Sequence, residues 1–290
     1  VLSFTDSSHL DLFSEDMKAH QKSSIGNQTI LDYLPQYYRE PRNFNEMIYI
    51  SQLLQAYGMD LAFRAQRLAK PRCMGTLYWQ LNDCWPGLSW SSLDYYRQKK
   101  ATHYMAKQDF ATFMIQSKIE NSRLITEIVS DSLQDVQVQL EVCILSFEGD
   151  TIKRAIQDVK LTANKVSNFE LSKIHIRQFH PGQSFIHSKL TLDNRLLAEH
   201  IDFFGKPKNL QLPKSELNIE EIGPNQFEMS SSPSIFHYSV YLSTKEKGNF
   251  EPNFFHLLPG EKKVVTFVPN DKDITIIQQE VNAISLNGFK

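Results

Sequence analysis

An α/β segment followed by all-β structure is the fold class this sequence predicts. Three observations carry that expectation: apolar residues at helical spacing in the first third, strict alternation beyond about residue 115, and turn formers near residue 210 that divide the alternating part. The chain has 290 residues, enough for two or three compact units. Its 41% hydrophobic and 22% charged content is that of an ordinary globular protein.

In the first third, Asn43-Phe44-Asn45-Glu46 has the chemistry of a capping box, and Ile50, Leu53, Leu54, Tyr57, Leu61 and Leu68 follow at helical spacing up to Pro71. Gly75 to Leu81 is short, aromatic and bounded by turn formers, which predicts a buried strand. After a loop with Pro86 and Gly87, Arg97 to Phe110 resumes a helical pattern, with Ala101, Tyr104 and Met105 on one side. Helix, strand, loop and helix make a fragment of an α/β unit.

Val136, Val138, Leu140, Val142 and Ile144 then alternate with polar residues, predicting a strand with one buried face. Ile186 to Leu192, Asp193-Asn194 and Leu196 to Phe204 read as a hairpin. Gly205-Lys206-Pro207-Lys208 and Leu212-Pro213 mark a junction between two sandwiches. Candidate strands of the second are Lys262 to Val268 and Ile274 to Ile277, with turns at Ser231-Ser232-Pro233 and Pro259-Gly260.

A net charge of −2 gives no footprint for nucleic acid or an anionic membrane surface, and no apolar run approaches a membrane span. Cys73, Cys84 and Cys143 do not define a disulfide framework. His175, His180 and His187 lie in the β region, but no Cys or carboxylate completes a usual ligand spacing, so no metal or cofactor is expected. The N-terminus, Val1-Leu2-Ser3-Phe4, has neither an initiating Met nor a signal-peptide pattern and reads as cut from something longer.

Most of the chemistry lies in Met74 to Pro86, where a strand runs into a polar loop with Trp79, Trp85, Asn82 and Asp83. Tryptophan faces suit the apolar faces of sugars, and amide and carboxylate groups suit their hydroxyls. The same spacing also fits Trp79 and Trp85 as core aromatics beside a turn.

These residues carry a resemblance. Gly75 to Pro86, continuing through Ser89 to Tyr96 and Lys100 to Tyr104, resembles the last barrel strand and following helix of β-mannosidases of glycoside hydrolase family 2. Ser14 to Met17, Ala19 to Lys22, Tyr49 to Ala56 and Asn253 to Glu261 are similar to further segments of that family. The resemblance implies the C-terminal part of a (β/α)8 catalytic barrel at residues 1–113, then two immunoglobulin-like β-sandwich domains at 114–207 and 208–290. A jelly-roll domain, a further immunoglobulin-like domain and the rest of the barrel would come from the N-terminal half of the same polypeptide, the partner this reading requires.

The implied activity is retaining, exo-acting hydrolysis of terminal non-reducing β-D-mannose in an oligosaccharide or glycoside, by two carboxyl groups about 5 to 5.5 Å apart. The family's two glutamates lie on earlier barrel strands, so no catalytic residue is assigned here and the chain alone is expected to be inactive. Glu15 falls in a helical stretch and Glu46 is a helix cap. Trp79 matches the tryptophan that walls the subsite of the terminal mannose. Asn82 and Asp83 match motif residues that either touch sugar or shape the loop, while Trp85 and Trp90 are expected to pack. Two rival readings stay open: a non-catalytic carbohydrate-binding or structural module, and a related enzyme such as an exo-β-glucosaminidase. The resemblance leaves the compartment open among secreted, periplasmic and lysosomal settings.

Overall fold

The structure, a computed structural model, describes residues 4–173 and 179–289. Four helices precede the β structure: α1 (Glu15–His20), α2 (Gly26–Tyr37), α3 (Phe44–Leu68) and α4 (Ala101–Asp109). Asn43 caps α3 by accepting the Glu46 N–H at 3.0 Å. The Glu46 carboxylate reaches one residue further back than a capping box requires, to the Arg42 N–H at 2.8 Å. No helix is long and apolar enough to cross a membrane among the described residues.

Gly75 to Leu81 is not a strand, which corrects the expectation from its composition. Its burial alternates as a strand's would, but among the described residues only its last two carbonyls, of Gln80 and Leu81, accept backbone bonds from another segment, and no ladder forms. Among the described residues the structure holds helices and β-sandwiches and no closed barrel.

The first sandwich packs the sheet β1 (Phe113–Glu120), β2 (Arg123–Ser130) and β5 (Val166–Lys173) on a second sheet. That second sheet is ordered β4 (Thr151–Leu161), β3 (Val136–Ser146), β6 (Ser184–Leu192) and β7 (Arg195–Phe203). Val138, Leu140, Val142 and Ile144 are buried as their alternation requires, against Ile115, Leu124 and Ile128 of the facing sheet. Asp193 and Asn194, both at positive φ, turn the β6–β7 hairpin.

The second sandwich joins the sheet β11 (Gly248–Glu251), β13 (Lys263–Pro269), β9 (Gln226–Ser232) and β8 (Glu216–Gly223) to a smaller one. The smaller sheet is β12 (Phe255–Leu257), β10 (His237–Ser243) and β14 (Asn282–Ile284). Lys262 to Val268 largely coincides with β13. Ile274 to Ile277 does not form the expected strand: Ile276 is fully buried, but its N–H is held by the Asn225 side chain at 2.8 Å rather than by a ladder.

The connector between the sandwiches is packed. Leu210 is buried with Phe147 and Phe185 of the first sandwich and Phe236 of the second, and the Gln211 N–H donates to the Gly182 carbonyl at 2.7 Å. Tyr49, Ile50 and Leu53 of α3 enter the same core, and the Tyr49 hydroxyl donates to the Ser239 carbonyl at 2.5 Å. One apolar core thus joins the helices and both sandwiches, and the helices give the loop beyond Pro71 a rigid base.

Candidate functional site

Tyr78 turns inward from the extended segment, its ring 5.7 Å from that of Phe63, and its hydroxyl lies 2.9 Å from Ser92 Oγ. The neighbours on either side must then point the other way. Leu77 is 98% and Trp79 75% exposed, and Met74 and Leu81 are exposed as well. Within the described residues Trp79 is not buried in a core. The Trp79–Gln80 peptide is cis.

Beyond Trp79 the backbone is laced to the returning chain. Ser92 N–H donates to the Gln80 carbonyl at 3.0 Å, Leu93 N–H to Leu81 at 2.8 Å, and Asp83 N–H to Leu93 at 3.0 Å. Asn82 is exposed at the tip, with its own carbonyl accepting from Gln80 Nε2 at 3.0 Å. Asp83 is placed differently. Its buried carboxylate accepts from Ser89 Oγ and Ser91 Oγ, each at 2.6 Å, and lies 3.2 Å from Lys100 Nζ. Every one of those contacts is internal, so Asp83 shapes the loop and offers no free carboxylate oxygen edge comparable to the Asn82 amide.

The far side of the loop rests on the C-terminal end of α1. His20 Nδ1 lies 2.6 Å from the Pro86 carbonyl and Gln21 Nε2 donates to Leu88 at 3.3 Å. A Cβ on Gly87 would come within 2.6 Å of the His20 carbonyl, so only glycine permits this approach. Trp85, half exposed, tilts against the His20 ring at 5.3 Å with Lys22 Nζ 4.1 Å above it. Trp90 is also half exposed, its carbonyl held by Gln55 Nε2 at 2.6 Å. Both meet the packing expectation only in part.

Burial lowers the Lys100 pKa, against the opposing pull of Asp83. Burial raises that of Asp94, whose carboxylate accepts the Gln98 N–H at 2.7 Å. The His103 pKa is lowered, first by burial and then by Lys99. An exposed indole face beside an exposed amide can hold a neutral, hydroxyl-rich ring. Bond cleavage by a retaining route needs two suitably spaced carboxyl groups, and Asp83 and Asp94 are already committed to internal hydrogen bonds.

The sequence reading located Trp79, Asn82 and Asp83 but missed Ser89, Ser91 and Lys100. One signal was available: a lysine opening α4 is opposed to the helix dipole and calls for an anionic neighbour. No group of three or more His, Cys, Asp or Glu is gathered as metal ligands among the described residues. His175 lies outside the described residues, and His187 pairs with Glu199 at 2.9 Å. A cavity of about 800 Å³ lies away from Trp79, where α3 and α4 meet both sandwiches, lined in part by Tyr57, Asp60, Arg64, His200 and Glu251.

Residues 126–209 match the Mannosidase Ig/CBM-like domain family, and residues 210–289 match a family described as an Ig-fold domain. Beta-mannosidase B of Neosartorya fischeri is 24% identical over 268 residues, spanning 85% of this chain and 32% of the relative. The crystal structure of β-D-mannosidase from Dictyoglomus thermophilum superposes on 97% of this chain and 34% of its own, with TM-score 0.81 and 25% identity. An exo-chitosanase of Amycolatopsis orientalis shares the fold at TM-score 0.67 and 15% identity, covering 97% of this chain and 39% of the other. The chain therefore spans about a third of the length of the curated relatives it matches.

Proposed function

We propose that this chain, which belongs to the β-mannosidases of glycoside hydrolase family 2 and corresponds to their C-terminal region, completes the sugar site of a retaining exo-β-mannosidase. The observation that carries the reading is the exposure of Leu77, Trp79 and Leu81 at every second position, in a segment that joins no sheet among the described residues. Exposed apolar side chains in such an array favour a covering partner. The covering partner in this reading is the N-terminal half of the same polypeptide, with the remaining barrel strands on either side of Gly75 to Leu81.

In that setting Trp79 stands at the C-terminal end of a barrel strand, where barrel enzymes build their sites. Its indole face walls the subsite of the terminal mannose and Asn82 offers its amide to a hydroxyl. Asp83 acts indirectly, by holding the loop. The nucleophile and the acid/base both come from the preceding part of the barrel, so residues 1–290 bind and position but do not cleave.

The test is a comparison of the full polypeptide with the 290-residue chain on aryl β-D-mannoside and aryl β-D-glucosaminide. Turnover of the mannoside by the full polypeptide alone is the expected result. Turnover by the chain alone, or a preference of the full polypeptide for the glucosaminide, would overturn the reading.

A further inference from the structure

Lys100 is the N-cap of α4 and makes no side-chain cap hydrogen bond there. The side chain is mostly buried, and its ammonium reaches back across the loop rather than out to solvent. Nζ lies 2.9 Å from Ser91 Oγ, 3.1 Å from Ser89 Oγ, 3.2 Å from Asp83 Oδ2 and 3.4 Å from the Ser89 carbonyl. The two serines in turn donate to the Asp83 carboxylate. One cation thereby ties Asp83, Ser89 and Ser91 of the loop to the N-cap of α4, whose Ala101 is buried in the common core.

We propose that Lys100 is the positioning residue of the sugar site, a buried pin that fixes the Asp83–Ser89–Ser91 cluster and, through the backbone bonds of Gln80 and Leu81, the direction of Trp79. This rests on the reading of Trp79 as the wall of the sugar subsite. Lys100 touches no substrate. Its contribution is to keep the exposed indole and the Asn82 amide in one arrangement, so that ordering the loop is not left to the sugar. Charge and reach are both needed: an ammonium supplies three donors to a carboxylate and two hydroxyls already in mutual contact.

The experiment uses the full polypeptide with Lys100→Met, Lys100→Arg and, as a second break of the same cluster, Asp83→Asn. Backbone hydrogen exchange is followed in the peptide holding Asp83, Ser92 and Leu93, with α3 as internal reference, and kcat/KM is measured on an aryl β-D-mannoside well below the melting temperature. Loss of a charged hydrogen-bond centre should speed exchange in the loop by roughly tenfold or more while α3 stays protected. The expected kinetic result is a fall of about tenfold in kcat/KM for Lys100→Met, largely restored in Lys100→Arg, because the cation and not mere packing is required. Should Lys100→Met fail to fold, Asp83→Asn carries both readouts.

Unchanged loop exchange in a folded Lys100→Met enzyme would overturn the pin. Faster loop exchange with unchanged kinetics would overturn its service to the sugar site. A Trp79→Ala enzyme with unchanged kinetics would instead sink the subsite reading, and the exchange measurement would then decide the pin by itself.

Discussion

The Arg64 guanidinium donates to Nδ1 of His200 at 2.7 Å, joining α3 to β7. Arginine has no acceptor, so Nδ1 is the lone-pair nitrogen of His200 and its proton sits on Nε2, 3.4 Å from Asp202 Oδ1. The same buried guanidinium reaches Asp60 Oδ1 at 2.5 Å, the Ile115 carbonyl at 2.6 Å and Asp109 Oδ1 at 3.1 Å. Arg64→Met would leave Asp60 and Asp109 facing each other without their cation. The expected loss is about 3 to 5 kcal/mol, measured by urea unfolding; a loss under about 1 kcal/mol would show that the hub is dispensable.

Asp109 gives a pH dependence of definite sign. Burial pushes its carboxyl from 3.8 up to about 7, with Arg64 opposing and Asp60 adding to the rise. The folded state therefore holds a proton that the unfolded chain releases, and this contribution to stability is lost as pH rises from about 4 through about 7. Asp109→Asn cannot titrate, so its melting temperature relative to the parent should shift upward between about pH 5 and about pH 8. A constant difference over that range would contradict the assignment.

His256 and His237 act in the opposite direction. Burial lowers them from 6.5 to about 3 and about 4. Nδ1 of His256 accepts the Ser239 N–H at 3.2 Å and cannot take a proton without losing that bond. Their contribution is present above about pH 6.5 and is lost as pH falls toward their folded values. In His256→Gln the slope of melting temperature against pH below about 6.5 should be shallower than in the parent, whatever the change at neutral pH.

Leu210 tests the shared core. The turn formers from Gly205 to Pro213 suggest an open linker, yet Leu210 is only 3% exposed. Leu210→Ala should cost about 2 to 5 kcal/mol. Limited proteolysis should spare residues 205–213 in the parent and cut there in the variant.

What was legible in the sequence follows from what local pattern can encode. The capped helix α3, the alternation of β3 and the Asp193-Asn194 hairpin each bury one face at a fixed period, so the residues themselves declare the element. Gly75 to Leu81 has the composition of a strand, but pairing belongs to neighbours, and among the described residues it joins no sheet. Ile274 to Ile277 is apolar because Ile276 fills the core, while Asn225 supplies the hydrogen bond that a ladder would have given. At the site, Trp79, Asn82 and Asp83 stood out by residue type. The commitment of Asp83 to Ser89, Ser91 and Lys100 depends on a fold in three dimensions, as does the link from Arg64 to His200, 136 residues further along the chain.

Trp79 decides whether the exposed edge is a sugar site. An aromatic face covered by a sugar is worth on the order of 1 to 3 kcal/mol in apolar burial, and about 1.4 kcal/mol corresponds to tenfold in rate. In the full polypeptide, Trp79→Ala should lower kcat/KM on an aryl β-D-mannoside by roughly tenfold or more while the melting temperature of the folded enzyme changes little. A lowered melting temperature with unchanged kcat/KM would contradict it and make Trp79 a packing residue of the completed barrel.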